Sequence, residues 1–244
     1  MNKNFIFLNE VDSTNNYANQ LVLTKAAEEG TVVLAQFQNS GKGQKGNTWE
    51  SEPRKNLLAS FILRPVFLKP AEQFYISKII SLSIAEILKS NTNDVTIKWP
   101  NDIYAGKRKI AGILIENSVL GQNIETSIAG IGLNLNQEVF VSGAPNPVSL
   151  KQLTGKNYEI QQFADHLFVV IEKWYSKLKS FKFSEIDMIY HESLFRMKEW
   201  ANYSADGKTF EARMIGTGQF GQLQLEHHDG KITGHFFKEV EFVI

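Results

Sequence analysis

The sequence predicts an α+β protein: a mixed, largely antiparallel sheet carrying helices on one face, followed by a small C-terminal β-barrel. Three observations lead there. Apolar, β-rich runs in the first 136 residues are joined mainly by hairpin-type turns. Two long stretches place apolar residues at helical spacing. Beyond Glu199 the chain becomes short strands punctuated by "DGK", "GQFGQ" and "HDGK", the turn chemistry of a small barrel.

The elements follow in order. "NFIFLNEV" reads as a strand, and "DSTNNYANQLVLTKAAEEG" as a helical stretch with N-cap candidates Asp12, Ser13 and Thr14 and a C-cap candidate in Gly30. "TVVLAQFQ" and "NLLASFIL" are strand candidates. In "AEQFYISKIISLSIAEILKS", Phe74, Ile76, Ile79, Ile80, Leu82, Ile84, Ile87 and Leu88 fit a helix largely buried against a sheet. "VTIKW" is a strand stopped by Pro100, "DIYAGKRKIAGILIE" a hairpin turning near Gly106, and "NIETSIAGIGLNLN" a strand ending in a Gly/Asn-rich loop. After "SGAPNPVS", Phe163, Leu167, Ile171, Trp174 and Leu178 mark a helix over 160–178, and a further helical segment covers 184–197. The boundary is expected near residue 196, giving a domain of 1–196 and another of 197–244.

Composition narrows the function classes. Lys+Arg and Asp+Glu balance at 26 each, so no global field favours nucleic acid or an anionic membrane. The absence of cysteine excludes disulfides, thiolate metal sites and a cysteine nucleophile. The N-terminus lacks the apolar run of a signal peptide, and no stretch approaches the roughly 20 apolar residues of a membrane span. A cytoplasmic protein without membrane or DNA partners is expected.

Four polar or glycine-rich segments interrupt the strand text. "DSTNNYA" can be a plain capping turn, or Ser13, Thr14 and Asn15 at a helix N-terminus can bind an oxygen-rich ligand head. "NSGKGQKGNTW", preceded by Gln38, can be a solvated loop. Alternatively, Gly41, Gly43 and Gly46 let backbone amides approach a ligand while Lys42 and Lys45 add charge. It is not a Walker A loop: Asn47 and Thr48 follow Gly46 where Lys and Ser/Thr are required. Trp49, at its edge, can stack on a base or simply be buried.

The third segment, "KWPNDIYAGKRKIAGILIE", sets Lys98, Asn101, Asp102 and Lys109 around a proline break and a hairpin. Either these are solvated edge residues, or Lys109, on a strand with Ile110, Ala111 and Gly112, meets a ligand carboxylate or phosphate. Asp102 can offer oxygen to Mg²⁺. The fourth, "GIGLNLN", offers close approach at Gly130 and Gly132, and Asn134 and Asn136 can read an adenine or ribose edge. Together they describe a site for a phosphorylated, partly apolar ligand.

In this order and at these intervals, "DSTN", "GKGQKGNTW", "KWPNDI…KIAGILIE" and "GIGLNLN" closely resemble the biotin protein ligases. The resemblance covers most of residues 5–140 and implies an α+β catalytic domain, an SH3-like C-terminal domain, ATP with Mg²⁺, and biotin as substrate. Carried over by motif, Ser13, Thr14, Asn15 and Gln38 line the biotin site. Gly41, Lys42, Gly43, Gln44, Lys45 and Gly46 wrap the biotinyl-adenylate, with Trp49 and Asn134 flanking the adenine. Lys109 bridges the biotin carboxylate and α-phosphate, Gly112 lies near the bicyclic ring, and Lys98, Asn101 and Asp102 sit by the phosphates and metal. Lys109 and Asp102 are the expected catalytic pair.

The implied partner is a biotin carboxyl carrier protein or domain of a carboxylase, and a homodimer is common in the family. Where many members carry G-R-G-R-R-G, this chain has "GKGQKG": Lys42 lacks a guanidinium's bidentate fork and Gln44 is neutral. The chain begins almost at "DSTN", so no winged-helix domain, and no repressor role through one, is expected. The alternatives are a lipoate or octanoate ligase on the related fold, and a non-enzymatic biotin or nucleotide sensor.

Overall fold

The computed structural model describes residues 1–44, 46–143 and 146–243. Seven strands build the main sheet: β1 (Asn4–Leu8), β2 (Thr31–Ala35), β3 (Leu57–Leu63), β4 (Val95–Lys98), β5 (Asp102–Ala105), β6 (Arg108–Leu120) and β7 (Asn123–Leu133). Their spatial order is β1-β2-β3-β7-β6-β5-β4. Only β1 and β2 pair in parallel, joined by α1 (Thr14–Leu23); the other neighbours are antiparallel.

Alternation along the strands divides apolar side chains between two layers. Leu57, Ala59, Phe61 and Leu63 of β3 point to one face, with Ile113 of β6 and Ala129 and Ile131 of β7. On that face lies α2 (Phe74–Lys89), apolar nearly all round because it is covered on its far side by α4 (Ile160–Lys179), which follows the short α3 (Leu150–Thr154). Each aliphatic side chain taken fully from water there contributes roughly 1.5–3 kcal/mol. The opposite face carries only α1, over a small cluster of Ala18, Val33, Ile62 and Ile128. The long helices therefore occupy one face as expected, and most of the other face is left for a site.

Two helices end earlier than the sequence pattern predicts. α1 stops at Leu23 and the chain turns through Lys25 in the left-handed region (φ 55°), so Gly30 is not its cap. Gly30 (φ 94°) instead packs where a Cβ would lie 2.4 Å from the carbonyl oxygen of Asn2. α5 (Phe183–Glu192) stops short of 197 because the open edge of β4 competes for the chain. The Ile97 amide donates to Ser193 O (2.8 Å) and the Phe195 amide to Ile97 O (2.9 Å). Those edge groups would otherwise be unpaired.

The second sheet comprises β8 (Trp200–Ala205), β9 (Lys208–Thr217), β10 (Leu223–Glu226), β11 (Ile232–His235) and β12 (Glu241–Phe242), ordered β11-β10-β9-β8-β12. This antiparallel unit is consistent with an SH3-like domain. The segment after β9 docks it on the first unit. Trp99 Nε1 donates to Gly221 O at 2.8 Å, and His191 Nε2 of α5 accepts from the Thr217 amide at 3.1 Å. That bond puts the neutral imidazole's proton on Nδ1. Burial, aided by Lys78 and opposed by Asp187, holds the His191 pKa below 6.5.

Two expectations follow from this interface. Gly221 has φ 85°, and a Cβ there would stand 2.4 Å from Cγ of Phe74. Gly221→Ala should therefore cost at least about 1–3 kcal/mol, seen as a lower melting temperature. Because unfolded His191 binds its proton at higher pH than folded His191, stability should fall as pH drops below about 6.5. Denaturant titrations at pH 7.5 and 5.5 should show a shallower fall for His191→Gln.

Candidate active site

The open face of the sheet is floored by glycine. Gly112 of β6 pairs with Gly132 of β7, and Gly130 pairs with Leu114 on one side and Ser60 on the other. A Cβ at Gly132 would lie 2.4 Å from Cε2 of Trp49, one at Gly112 2.9 Å from Cζ3 of the same ring, and one at Gly130 2.3 Å from Asn15 Oδ1. The indole and the carboxamide thus rest directly on backbone, and a cavity of about 700 Å³ opens beside them. The Trp49 Nε1 group is buried without a hydrogen-bond partner.

A β-bulge brings the lysine to this face. Ile103 opposes Ala111 and Tyr104 opposes Lys109, leaving Ile110 as an extra residue. Ile110 and Ala111 consequently both enter the core, while Lys109 joins Gly112 on the cavity side. The bulge's backbone groups are satisfied: the Lys109 amide donates to Asn146 O, Lys109 O accepts from Val148, and Ile110 O accepts from Asn134, each at 2.9 Å. Lys109 Nζ lies 2.7 Å from Asp102 Oδ1 and 5.7 Å from the centre of a Trp49 ring. The contact with Asp102 is an ion pair between two partly buried side chains, and it ties the ammonium to the carboxylate at the mouth of the cavity.

The start of α1 closes one end. Ser13 is the N-cap residue, yet its side chain makes no capping bond and lines the cavity. The Thr14 amide and hydroxyl both donate to Gln38 Oε1 (2.7 and 3.0 Å), leaving the Gln38 amide nitrogen for the cavity. Asn15 is tied on both sides, donating to Glu116 Oε2 (2.7 Å) and accepting from Ser60 Oγ (2.6 Å).

The glycine loop folds back as a short hairpin. The Gly43 amide donates to Asn47 O at 3.0 Å and the Trp49 amide to Gly41 O at 2.9 Å. Gly41 is needed for closeness: a Cβ there would be 2.5 Å from Trp49 O. The Lys42 ammonium donates to Asn16 Oδ1.

At the opposite end Lys98 is half-buried, its ammonium 5.2 Å from the Tyr104 ring and 5.3 Å from that of Phe242, contributed by the second sheet. Burial pushes its pKa down, with Asp102 opposing and Lys109 reinforcing the shift. Asn101 Nδ2 donates to Ile113 O at 2.7 Å, which pins the turn before β5 to β6.

The structure brings Ser13, Thr14, Asn15, Gln38, Lys42, Gly43, Gln44, Trp49, Lys98, Asn101, Asp102, Lys109 and Gly112 to one cavity. Gly41 and Gly46 shape the loop without lining that cavity, and Lys45 lies outside the described residues. Asn134 lines a separate space of about 60 Å³ with Trp49, Lys109 and Phe140. Its Nδ2 donates to Val148 O and its Oδ1 is buried without a donor. Sequence reasoning missed Ser60, Glu116 and Phe140, and also Phe237, Lys238, Glu241 and Phe242 of the second unit, which line the large cavity. Glu116 closes the "KIAGILIE" motif, but its apolar flanks gave no sign of a polar role; the others belong to no polar or glycine-rich motif that could have marked them.

Among the described residues no three His, Asp or Glu side chains converge on a metal position. The carboxylate of Asp102 on the cavity wall fits Mg²⁺, which takes one or two carboxylates and completes its shell with water and substrate phosphate. Two ammonium groups, hydroxyl and amide donors and a glycine floor suit an anionic ligand with a flat apolar part.

Comparison with known proteins agrees. Residues 7–134 match the family model described as the biotin/lipoate A/B protein ligase family. The chain is 30% identical over 185 residues to the biotin--[acetyl-CoA-carboxylase] ligase of Paracoccus denitrificans, covering 73% of this chain and 76% of that one. It is 27% identical over 237 residues to the bifunctional ligase/repressor BirA of Bacillus spizizenii, covering 94% and 71%. The solved structure of biotin protein ligase from Aquifex aeolicus in complex with biotin and ATP superposes with a TM-score of 0.83 at 25% identity, covering 99% of this chain and 100% of that one.

The glycine floor can be tested directly. Gly132→Ala should displace the Trp49 ring and destabilise the fold by about 1–3 kcal/mol through overpacking, read as a lower melting temperature.

Proposed function

The chain belongs to the biotin/lipoate A/B protein ligase family, and from that premise we propose how its site works as an ATP-dependent biotin–protein ligase. The enzyme activates biotin as biotinyl-5′-AMP and transfers the biotinyl group to a lysine. The observation that carries the site assignment is the bulge-delivered ammonium of Lys109, set between the glycine-floored groove and the small space beside Asn134.

In the proposed first step the biotin carboxylate oxygen forms a bond to the α-phosphorus of ATP, and the bond to the bridging oxygen breaks to release pyrophosphate. Two anions must approach, and Lys109 stabilises the charge that builds between them. Lys98, whose ammonium is only weakly compensated by its aromatic neighbours, attracts the departing phosphates. Asp102 would hold Mg²⁺, which when bound adds countercharge at the phosphates. Ser13, Thr14 and Gln38 bind the polar head of biotin, Gly112 lies beside its bicyclic ring, and Trp49 and Asn134 flank the adenine.

The loop from Gly41 to Gly46 covers the adenylate and limits water's access to a reactive anhydride. In the second step a carrier lysine attacks the acyl carbon and AMP leaves. We place that lysine on a biotin carboxyl carrier protein or domain of a carboxylase. The division into a catalytic domain of 1–196 and an SH3-like domain of 197–244 is supported by a second sheet built wholly from residues after 199. A homodimer is supported by β6, which runs on to Leu120 past its last strand partner on β5 at Gly112 and the Asn101 bonds to Ile113. No helix among the described residues is long and apolar enough to cross a membrane.

Biotin-dependent ATP–pyrophosphate exchange tests the assignment. Lys109→Ala should lower the exchange rate by about 10²–10³-fold. Normal exchange by that variant removes Lys109 from the mechanism, and exchange driven by lipoate in place of biotin overturns the substrate.

A further inference from the structure

We infer that Glu116 is a positioning residue for biotin: its carboxylate sets the orientation of the Asn15 carboxamide, and through it the polarity of the hydrogen-bonding groups at the biotin-head end of the site. The inference rests on the biotin ligase reading of the same cavity.

Glu116 lies on β6 and does not line the cavity; Asn15 does. Asn15 is almost wholly buried, and its Nδ2 donates to Glu116 Oε2 at 2.7 Å and reaches Leu114 O at 3.3 Å. A carboxylate and a backbone carbonyl only accept, so only the flip that points nitrogen at them is compatible with them. The same flip presents Oδ1 to Ser60 Oγ at 2.6 Å.

Ser60 is fully buried and also contacts Thr14 Oγ1 at 2.8 Å, and the Thr14 hydroxyl donates to Gln38 Oε1 at 3.0 Å. With Gln38 Oε1 engaged twice by Thr14, its amide nitrogen keeps its hydrogens for the cavity. A ureido head has one acceptor and two donors, so it binds well only to a wall whose donors and acceptors are fixed. Gly130 reinforces the arrangement, since any side chain there would collide with Asn15 Oδ1. Without Glu116 only the longer contact with Leu114 O opposes the other flip of Asn15, and the head group meets a wall of mixed polarity.

The test compares the full-length native chain with Glu116→Ala, Glu116→Gln, Asn15→Ala and the Asn15→Ala/Glu116→Ala double variant. Biotin affinity is read by titration calorimetry and catalysis by biotin-dependent pyrophosphate exchange. Glu116→Ala should raise both the biotin Kd and the biotin KM about tenfold. Its kcat, its KM for ATP and its melting temperature should stay near native. Glu116→Gln, whose amide oxygen can accept from Asn15, should restore affinity. The double variant should bind biotin no more weakly than Asn15→Ala alone, because Glu116 acts through Asn15. Native affinity in Glu116→Ala overturns the inference while leaving the ligase reading intact. Additive losses in the double variant, or a common fall in kcat, affinity for ATP and melting temperature, overturn it in the same way. A native chain with no biotin dependence overturns both.

Discussion

Strict alternation along β6 would send Lys109 to the same side as Ala111 and Ile113, into the apolar layer under α2, where an unpaired ammonium is prohibitively costly. The extra residue at Ile110 removes that conflict by letting two consecutive apolar side chains enter the core and turning the lysine toward the cavity. The Lys109–Asp102 pair at the centre of the site follows from this. Asp102 faces Lys109 because it lies opposite Gly112, just beyond the bulge. The segment from Asn146 to Val148 is held against the bulge because it satisfies the backbone groups that the interrupted ladder leaves open.

The sheet's two faces divide the labour. One face is packed to exhaustion by α2 and α4, which supply most of the burial that holds the strands. This leaves the other face free to carry glycines where a stability-driven sequence would place Val or Ile. Gly112, Gly130 and Gly132 weaken the sheet locally, and the loss is tolerable because their strands are central and their other face is sealed. Over that floor lie Trp49 and Asn15 now, and the room they define is the site. The second unit completes it from outside. Its docking through Trp99, Phe74 and His191 holds Phe242 against Lys98, so one aromatic side of that ammonium's surroundings comes from residues over a hundred positions away.

Much of this was legible before folding. The period of apolar residues marked α2 and α4, and the hairpin turning at Gly106 was readable from its flanks. The four motifs fell where polar or glycine residues broke strand text, which is why most of the expected residues meet at one cavity. What was not legible has physical reasons. The ends of α1 and α5 depended on competitors outside the helix, the open edge of β4 in one case and a left-handed Lys25 in the other. Ser60 sits inside ordinary strand sequence and Glu116 at the end of a motif read for its lysine and glycine, and only the pairing of β3, β7 and β6 reveals that they hold Asn15 between them. Lys42 lines the cavity as expected, but that its ammonium also reaches Asn16, from the start of α1, was not written in either segment.

The sequence by itself determined the fold class, the polar and glycine-rich segments, and the kind of ligand they suit, because residue type and short-range periodicity already encode strand, helix, turn and charge. Tertiary structure decided which way those residues face. The direction of Lys109 hangs on one unpaired residue in a ladder, the cover over Gly132 on a ring from a loop more than eighty residues earlier, and the polarity of Asn15 on a carboxylate a hundred residues later. Such outcomes depend on register and packing between distant segments, and no local pattern records them.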